Sequence, residues 1–161
     1  MRRRPLLPPP VAIALVGSLL AAPAAAQADT FPTISERQYT GGSAKVTVTG
    51  STRISQEVPI NTQASFGDGT STWLQFGVSG AADPNVLITY GETKETGIIV
   101  GQGKFIATGV ITPGEKSECS GKATVSDNLI TGEYACTGVT SKNADGSMGQ
   151  VDIKVSFTAK S

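Results

Sequence analysis

Val151-Asp152-Ile153-Lys154-Val155-Ser156-Phe157-Thr158-Ala159-Lys160 alternates apolar and polar side chains without a break. Val151, Ile153, Val155, Phe157 and Ala159 fall on one face of an extended chain. Asp152, Lys154, Ser156, Thr158 and Lys160 fall on the other. Neighbouring side chains of a strand point to opposite faces, so this period of two predicts a strand with one buried and one wet face. Val46 and Val48 alternate with Lys45, Thr47 and Thr49 in the same way.

Working outward, the stretch Cys119 to Val139 contains the turn-prone pair Asp127-Asn128. Centring a hairpin there opposes Cys119 to Cys136, Lys122 to Glu133, Thr124 to Thr131 and Val125 to Ile130. One choice of register yields a cysteine pair, a pair of opposite charges, a hydroxyl pair and an apolar pair, each favourable across strands. The register predicts a Cys119–Cys136 disulfide, and closing a loop of this length contributes on the order of 3 kcal/mol. A disulfide suits export to an oxidising compartment; two free redox thiols would want the C-x-x-C spacing that is absent.

The remainder follows the same grammar. Leu74, Phe76 and Val78 share one strand face and leave Trp73 and Gln75 on the other. Val86, Ile88 and Tyr90 follow a turn at Asp83-Pro84-Asn85. Ile98 to Val100 and Phe105 to Ile111 are apolar, with Gly101 and Gly103 between them suggesting a bend or bulge. No stretch sustains the apolar period near 3.6 of a helix. The pattern predicts roughly eight to ten strands in an all-β, antiparallel, single-domain β-sandwich, with a small β-barrel as the alternative.

The N-terminus reads differently. Three arginines within Met1–Arg4 precede an apolar run from Val11 to Ala22, then Pro23 and Ala24-Ala25-Ala26. A basic end, a short apolar run and an A-x-A site form a secretory signal peptide. The run is about a dozen residues, whereas a spanning helix needs roughly 20. Residues 1–26 are the expected signal peptide, with cleavage after Ala26 or Ala28. Residues 27–42 read as an extended arm that Phe31, Ile34 and Tyr39 can pin down, and residues 43–161 as the β domain. Loss of the three arginines leaves 10 basic against 13 acidic residues, a net charge of −3.

The composition excludes several chemistries. The chain has no histidine and two cysteines, so histidine-assisted nucleophilic catalysis and four-cysteine zinc sites are out. Zero formal net charge gives no electrostatic footprint for nucleic acid. Phe66-Gly67-Asp68-Gly69-Thr70 lacks the Gly-Lys-Ser/Thr ending of a phosphate loop and reads as a hairpin turn. Gly101-Gln102-Gly103 lacks the strand-turn-helix setting of a dinucleotide site. Glu92 with Glu95, and Glu115 with Glu118, are close in sequence but sit in loops, where carboxylates are usually solvated. Ser141, Asn143, Asp145, Gly146 and Asp152 fall at calcium-loop positions, without the first Asp and last Glu of that motif. Asn143, Asp145 and Asp152 are thus a calcium candidate beside a plain turn at Asp145-Gly146; no metal and no cofactor is expected.

Gly121-Lys122-Ala123, Ile130-Thr131-Gly132, Gly138-Val139 and the closing Val151-Asp152-Ile153-Lys154-Val155 resemble the mycobacterial 19-kilodalton lipoprotein antigen family in the last third of the chain. The resemblance implies a small, surface-exposed or released, antigen-like β-protein without catalysis, and it transfers no functional residue. The chain departs from that family in lacking a lipidation cysteine at the cleavage site. The family's disulfide ties distant strands, whereas the register above places one within a hairpin.

These readings converge on a secreted, non-enzymatic protein of the cell envelope or extracellular space that binds or adheres, its partner an envelope component, a protein or a small apolar ligand. One alternative is a carrier whose Leu74, Phe76, Ile88 and Phe105 line a cavity; a second is a structural subunit of a surface assembly. Trp73, on the polar side of its strand, is a further ligand candidate through stacking on a sugar or lipid. Export and the disulfide together fix the mass of the mature chain. Intact-mass spectrometry of the exported protein should give residues 27–161 or 29–161 less two hydrogens, and a mass two units higher would contradict the disulfide.

Overall fold

The structure, a computed structural model, describes residues 35–161. The signal segment 1–26, both cleavage sites, Phe31 and Ile34 lie outside the described residues. Eleven strands follow in order: β1 (Arg37–Gln38), β2 (Gly41–Gly50), β3 (Ile54–Pro59), β4 (Phe66–Gly67), β5 (Thr72–Phe76), β6 (Asn85–Tyr90), β7 (Thr96–Gln102), β8 (Phe105–Ile111), β9 (Cys119–Ser126), β10 (Leu129–Lys142) and β11 (Met148–Lys160). Among the described residues there is no helix, and so none long and apolar enough to cross a membrane. The strands beyond the anticipated eight to ten include β1 and β4, each only two residues and too short to show a period.

All pairings are antiparallel within one sheet, ordered β1-β4-β5-β6-β7-β8-β10-β11-β2-β3, with β9 paired to β10. The far end of β3 returns to β5 through an Ile60–Phe76 bridge. Asn61 N donates to Gln75 O at 2.7 Å and Gly77 N to Pro59 O at 2.9 Å. The sheet therefore curls on itself as a half-barrel. The barrel alternative describes it better than the sandwich, because hydrogen bonding runs on from strand to strand instead of breaking into two stacked sheets. The anticipated arm is partly structured: Arg37–Gln38 pairs with β4, β2 begins at Gly41, and Tyr39 is buried.

β10 changes neighbours along its length. Its first part pairs with β9 from Leu129↔Ser126 to Cys136↔Cys119, and its end pairs with β8 at Ser141↔Ala107 and Lys142↔Ile106. Between these parts lies a bulge, where the register against β11 shifts from Cys136↔Ile153 to Val139↔Val151. An extra residue there leaves backbone groups off the ladder. Thr137 N donates to Glu118 O at 2.9 Å, and Gly138 N donates to an Asp152 carboxylate oxygen at 2.9 Å. The Cys119–Cys136 disulfide forms beside the bulge. All four cross-strand pairs expected from the sequence hold, turning on Asp127, whose positive φ of 46° suits a tight two-residue turn. The sulfurs lie over β8 at Gly109, where a Cβ would collide with both.

Inside, Phe76 of β5 meets Phe157 of β11 at 5.9 Å between ring centroids. Phe157 stacks on Tyr134 at 5.8 Å, and the Tyr90 and Tyr134 hydroxyls hydrogen-bond at 2.8 Å. A run of aromatic rings thus links β5, β11, β10 and β6 through the core. Instead of a bend or bulge, Gly101 stays in the β7 ladder and Gly103-Lys104 make a two-residue hairpin turn. Gln102 pairs with Phe105, and Gly103 takes a φ of 57°, a conformation that costs glycine little.

Two predictions follow from this packing. Gly109→Val should cost about 1–3 kcal/mol in the disulfide-bonded chain, as overpacking does, and distinctly less in a Cys119→Ala/Cys136→Ala background. Denaturant unfolding of the four chains checks this, and equal costs would contradict the contact. Burial, reinforced by the neighbouring Tyr134, holds the Tyr90 phenol well above its ordinary value, and burial also raises Tyr39. A raised phenol contributes fully below the unfolded value near pH 10 and loses that contribution as pH rises through the folded value. Stability should fall above about pH 10, by up to ~1.4 kcal/mol per pH unit for each such group. Tyr90→Phe should flatten that alkaline limb; an unchanged slope would contradict the assignment.

Candidate functional site

The structure separates the residues singled out for ligand binding. Leu74, Phe76, Ile88 and Phe105 point inward and belong to the packed core. Trp73 points outward from β5. Strand alternation produces this split: a side chain and its sequence neighbour cannot share a face.

The outer surface carries two unlike faces. Across β3, β2, β11, β10 and β9, one row runs Glu57–Lys45–Ser156–Glu133–Lys122, each residue opposite the next. Two adjoining grooves of about 510 and 490 Å³ lie on this face and share Lys45, Glu133 and Ser156. Acid and base sit beside each other along the row, and hydroxyls answer their neighbours: Ser43 Oγ donates to a Glu57 oxygen at 2.6 Å, and Thr124 and Thr131 bond at 2.9 Å. This face already meets much of its own polar demand.

Across β4, β5, β6, β7 and β8 the corresponding row runs Phe66–Trp73–Thr89–Gly97–Val110, and the next runs Gln75–Leu87–Ile99–Thr108. None of these residues is charged. At the spacing of paired strands the first row is roughly 19 Å long. Phe66, Trp73, Ile106 and Val110 leave 39, 41, 45 and 47 % of their surface exposed. Phe66 and Trp73 are directly opposed, with nearly parallel rings 6.4 Å apart and 14° between planes. Covering the open part of Trp73, about 100 Å² of a large aromatic surface, is worth roughly 2–3 kcal/mol.

A groove of about 280 Å³ runs beside Trp73, bounded by Ser71, Thr89, Thr93, Glu95 and Gly97. Gly97 keeps its floor open, since a Cβ there would stand 2.5 Å from Thr89 Oγ1. The turn leading into β5 is fixed by Asp68, whose carboxylate accepts from Thr70 N at 2.9 Å, Ser71 N at 2.6 Å and Thr70 Oγ1 at 2.8 Å. The Ser71 and Thr70 backbone bonds, followed by the Thr70 hydroxyl, lower the Asp68 pKa. This is the hairpin turn anticipated in place of a phosphate loop.

The calcium candidates serve turns. Asp145 accepts from Ser147 N at 2.9 Å and from Ser147 Oγ at 2.6 Å, and these bonds, the hydroxyl's first, lower its pKa. Asn143 Nδ2 donates to Ser147 Oγ, closing the β10–β11 hairpin. Asp152 is engaged at the bulge with Gly138, on another part of β11. Among the described residues, no group of three or more His, Cys, Asp or Glu gathers as a metal site. Glu92, Glu95, Glu115 and Glu118 are all exposed.

Phe66, Thr89, Gly97, Ile106 and Val110 escaped notice as site residues. The signal for two of them was present: Phe105 to Ile111 is apolar at outward positions as well as inward ones. No family model, curated protein or solved structure matches the chain.

Proposed function

We propose that the chain is an exported, non-enzymatic β-protein that binds or adheres at the cell envelope or outside the cell, through the uncharged outer face of β4 to β8. The observation that carries this reading is that Phe66, Trp73, Ile106 and Val110, each more than a third exposed, stand on outward strand positions of β4 to β8, none of which is charged. Large apolar side chains left open to water on a charge-free strand surface mark a candidate interaction site. The disulfide is compatible with an oxidising destination, and the antigen-like surface role implied by the family resemblance belongs to the same reading. Contact between Phe76 and Phe157 inside the half-barrel favours an outer binding surface over an interior carrier cavity.

A sedimentation assay with cell-envelope material tests the proposal. Trp73→Ser should lower retention of the mature chain about tenfold, a loss of ~1.4 kcal/mol, while Lys45→Ala/Lys122→Ala on the charged face should leave it unchanged. Equal retention of Trp73→Ser and the parent, or a loss confined to the lysine variant, would overturn the assignment of the face.

A further inference from the structure

We infer that the groove beside Trp73 takes a neutral or amino-substituted pyranose ring of an envelope or extracellular polysaccharide; this rests on the outer face of β4 to β8 being the binding surface. A pyranose has an apolar face of C–H groups and an equator of hydroxyls, and the groove matches both. The Trp73 ring, backed by Phe66 stacked at 14° to it, offers a flat apolar face. Ser71, Thr89, Thr93 and Glu95 set three hydroxyls and a carboxylate around the same space. The volume of about 280 Å³ suits one or two sugar rings more than a large ligand. A lipid chain wants a continuously apolar channel, whereas Ser71, Thr89, Thr93 and Glu95 interrupt the apolar lining here. Among the described residues Glu95 is the only charged one on the groove wall, so it favours neutral or cationic sugars and repels uronic acids.

The groove floor supplies an independent reason. Gly97 is the second residue of β7, paired with Thr89 on one side and Val110 on the other, and a glycine inside a ladder is one mark of close approach by a ligand. Any side chain there would press on Thr89 and fill the groove.

Trp73 is the chain's single tryptophan, so its emission reports on this site alone. The mature chain is titrated with cellotetraose, tetra-N-acetylchitotetraose, mannotetraose and tetragalacturonate. The expected result is a saturable change in emission with at least one of the three uncharged tetramers and none with tetragalacturonate. Gly97→Val, and separately Thr93→Ile on the exposed loop, should weaken that binding at least tenfold. The loop variant keeps the test decisive if the strand variant fails to fold. Parent-like binding by a folded groove variant, a response to tetragalacturonate alone, or silence towards all three uncharged tetramers would overturn the inference. If envelope retention still depends on Trp73 in that case, the sugar assignment fails by itself; if retention is also indifferent to Trp73, the face assignment fails with it.

Discussion

The change of partner along β10 is the constraint on which the rest of the molecule depends. A strand of fourteen residues pairs with β9 at one end and with β8 at the other, and its backbone cannot do both in one straight ladder. The bulge at Thr137-Gly138 resolves the conflict, and each displaced amide has a specific acceptor, Glu118 O or the Asp152 carboxylate. The disulfide closes the β9 side of this junction, and Gly109 gives the sulfurs room on the β8 side. Apart from the short Ile60–Phe76 contact, this junction is where the strands from β4 to β8 join those from β2, β3 and β11.

That junction also divides the outer surface. On one side, β3, β2, β11, β10 and β9 present lysines and glutamates in alternation, interleaved with serine and threonine. On the other, β4 to β8 present aromatic, aliphatic and hydroxyl side chains. The interior does not distinguish the halves, because the aromatic run from Phe76 through Phe157 and Tyr134 to Tyr90 draws on both. The asymmetry is therefore a property of the outward positions, which strand pairing leaves free to vary. Surface charge that is locally answered is inexpensive to keep in water, whereas open apolar area is costly, so the uncharged face is where function is sought.

Much of the fold was legible because period-two alternation and cross-strand pairing are local rules. The Val151–Lys160 pattern and the four pairs around Asp127-Asn128 gave strand, register and disulfide from adjacent residues alone. The curling of one sheet was not legible, since it depends on Ile60 meeting Phe76 and on β10 exchanging β9 for β8. Both are long-range pairings with no signature in neighbouring residues. The two glycines after Ile98–Val100 looked like a bulge because sequence does not reveal which glycine takes the positive φ; it is Gly103, which completes a hairpin.

The candidate site was legible only in part. Trp73 stood out by type and by its place in the alternation. Its row neighbours come from four other strands, and their alignment is fixed by registers that depend on the whole sheet. Leu74, Phe76 and Ile88 are close to site residues in sequence yet on the opposite face. The most direct test of the division between the two faces is heteronuclear NMR of the mature chain titrated with solubilised envelope material. The account predicts that perturbations gather on the Trp73 indole, Phe66, Thr89 and the Ile106 and Val110 methyl groups, with Lys45, Lys122 and Lys154 unmoved. Perturbations gathered on the lysine face, with Trp73 silent, would contradict it.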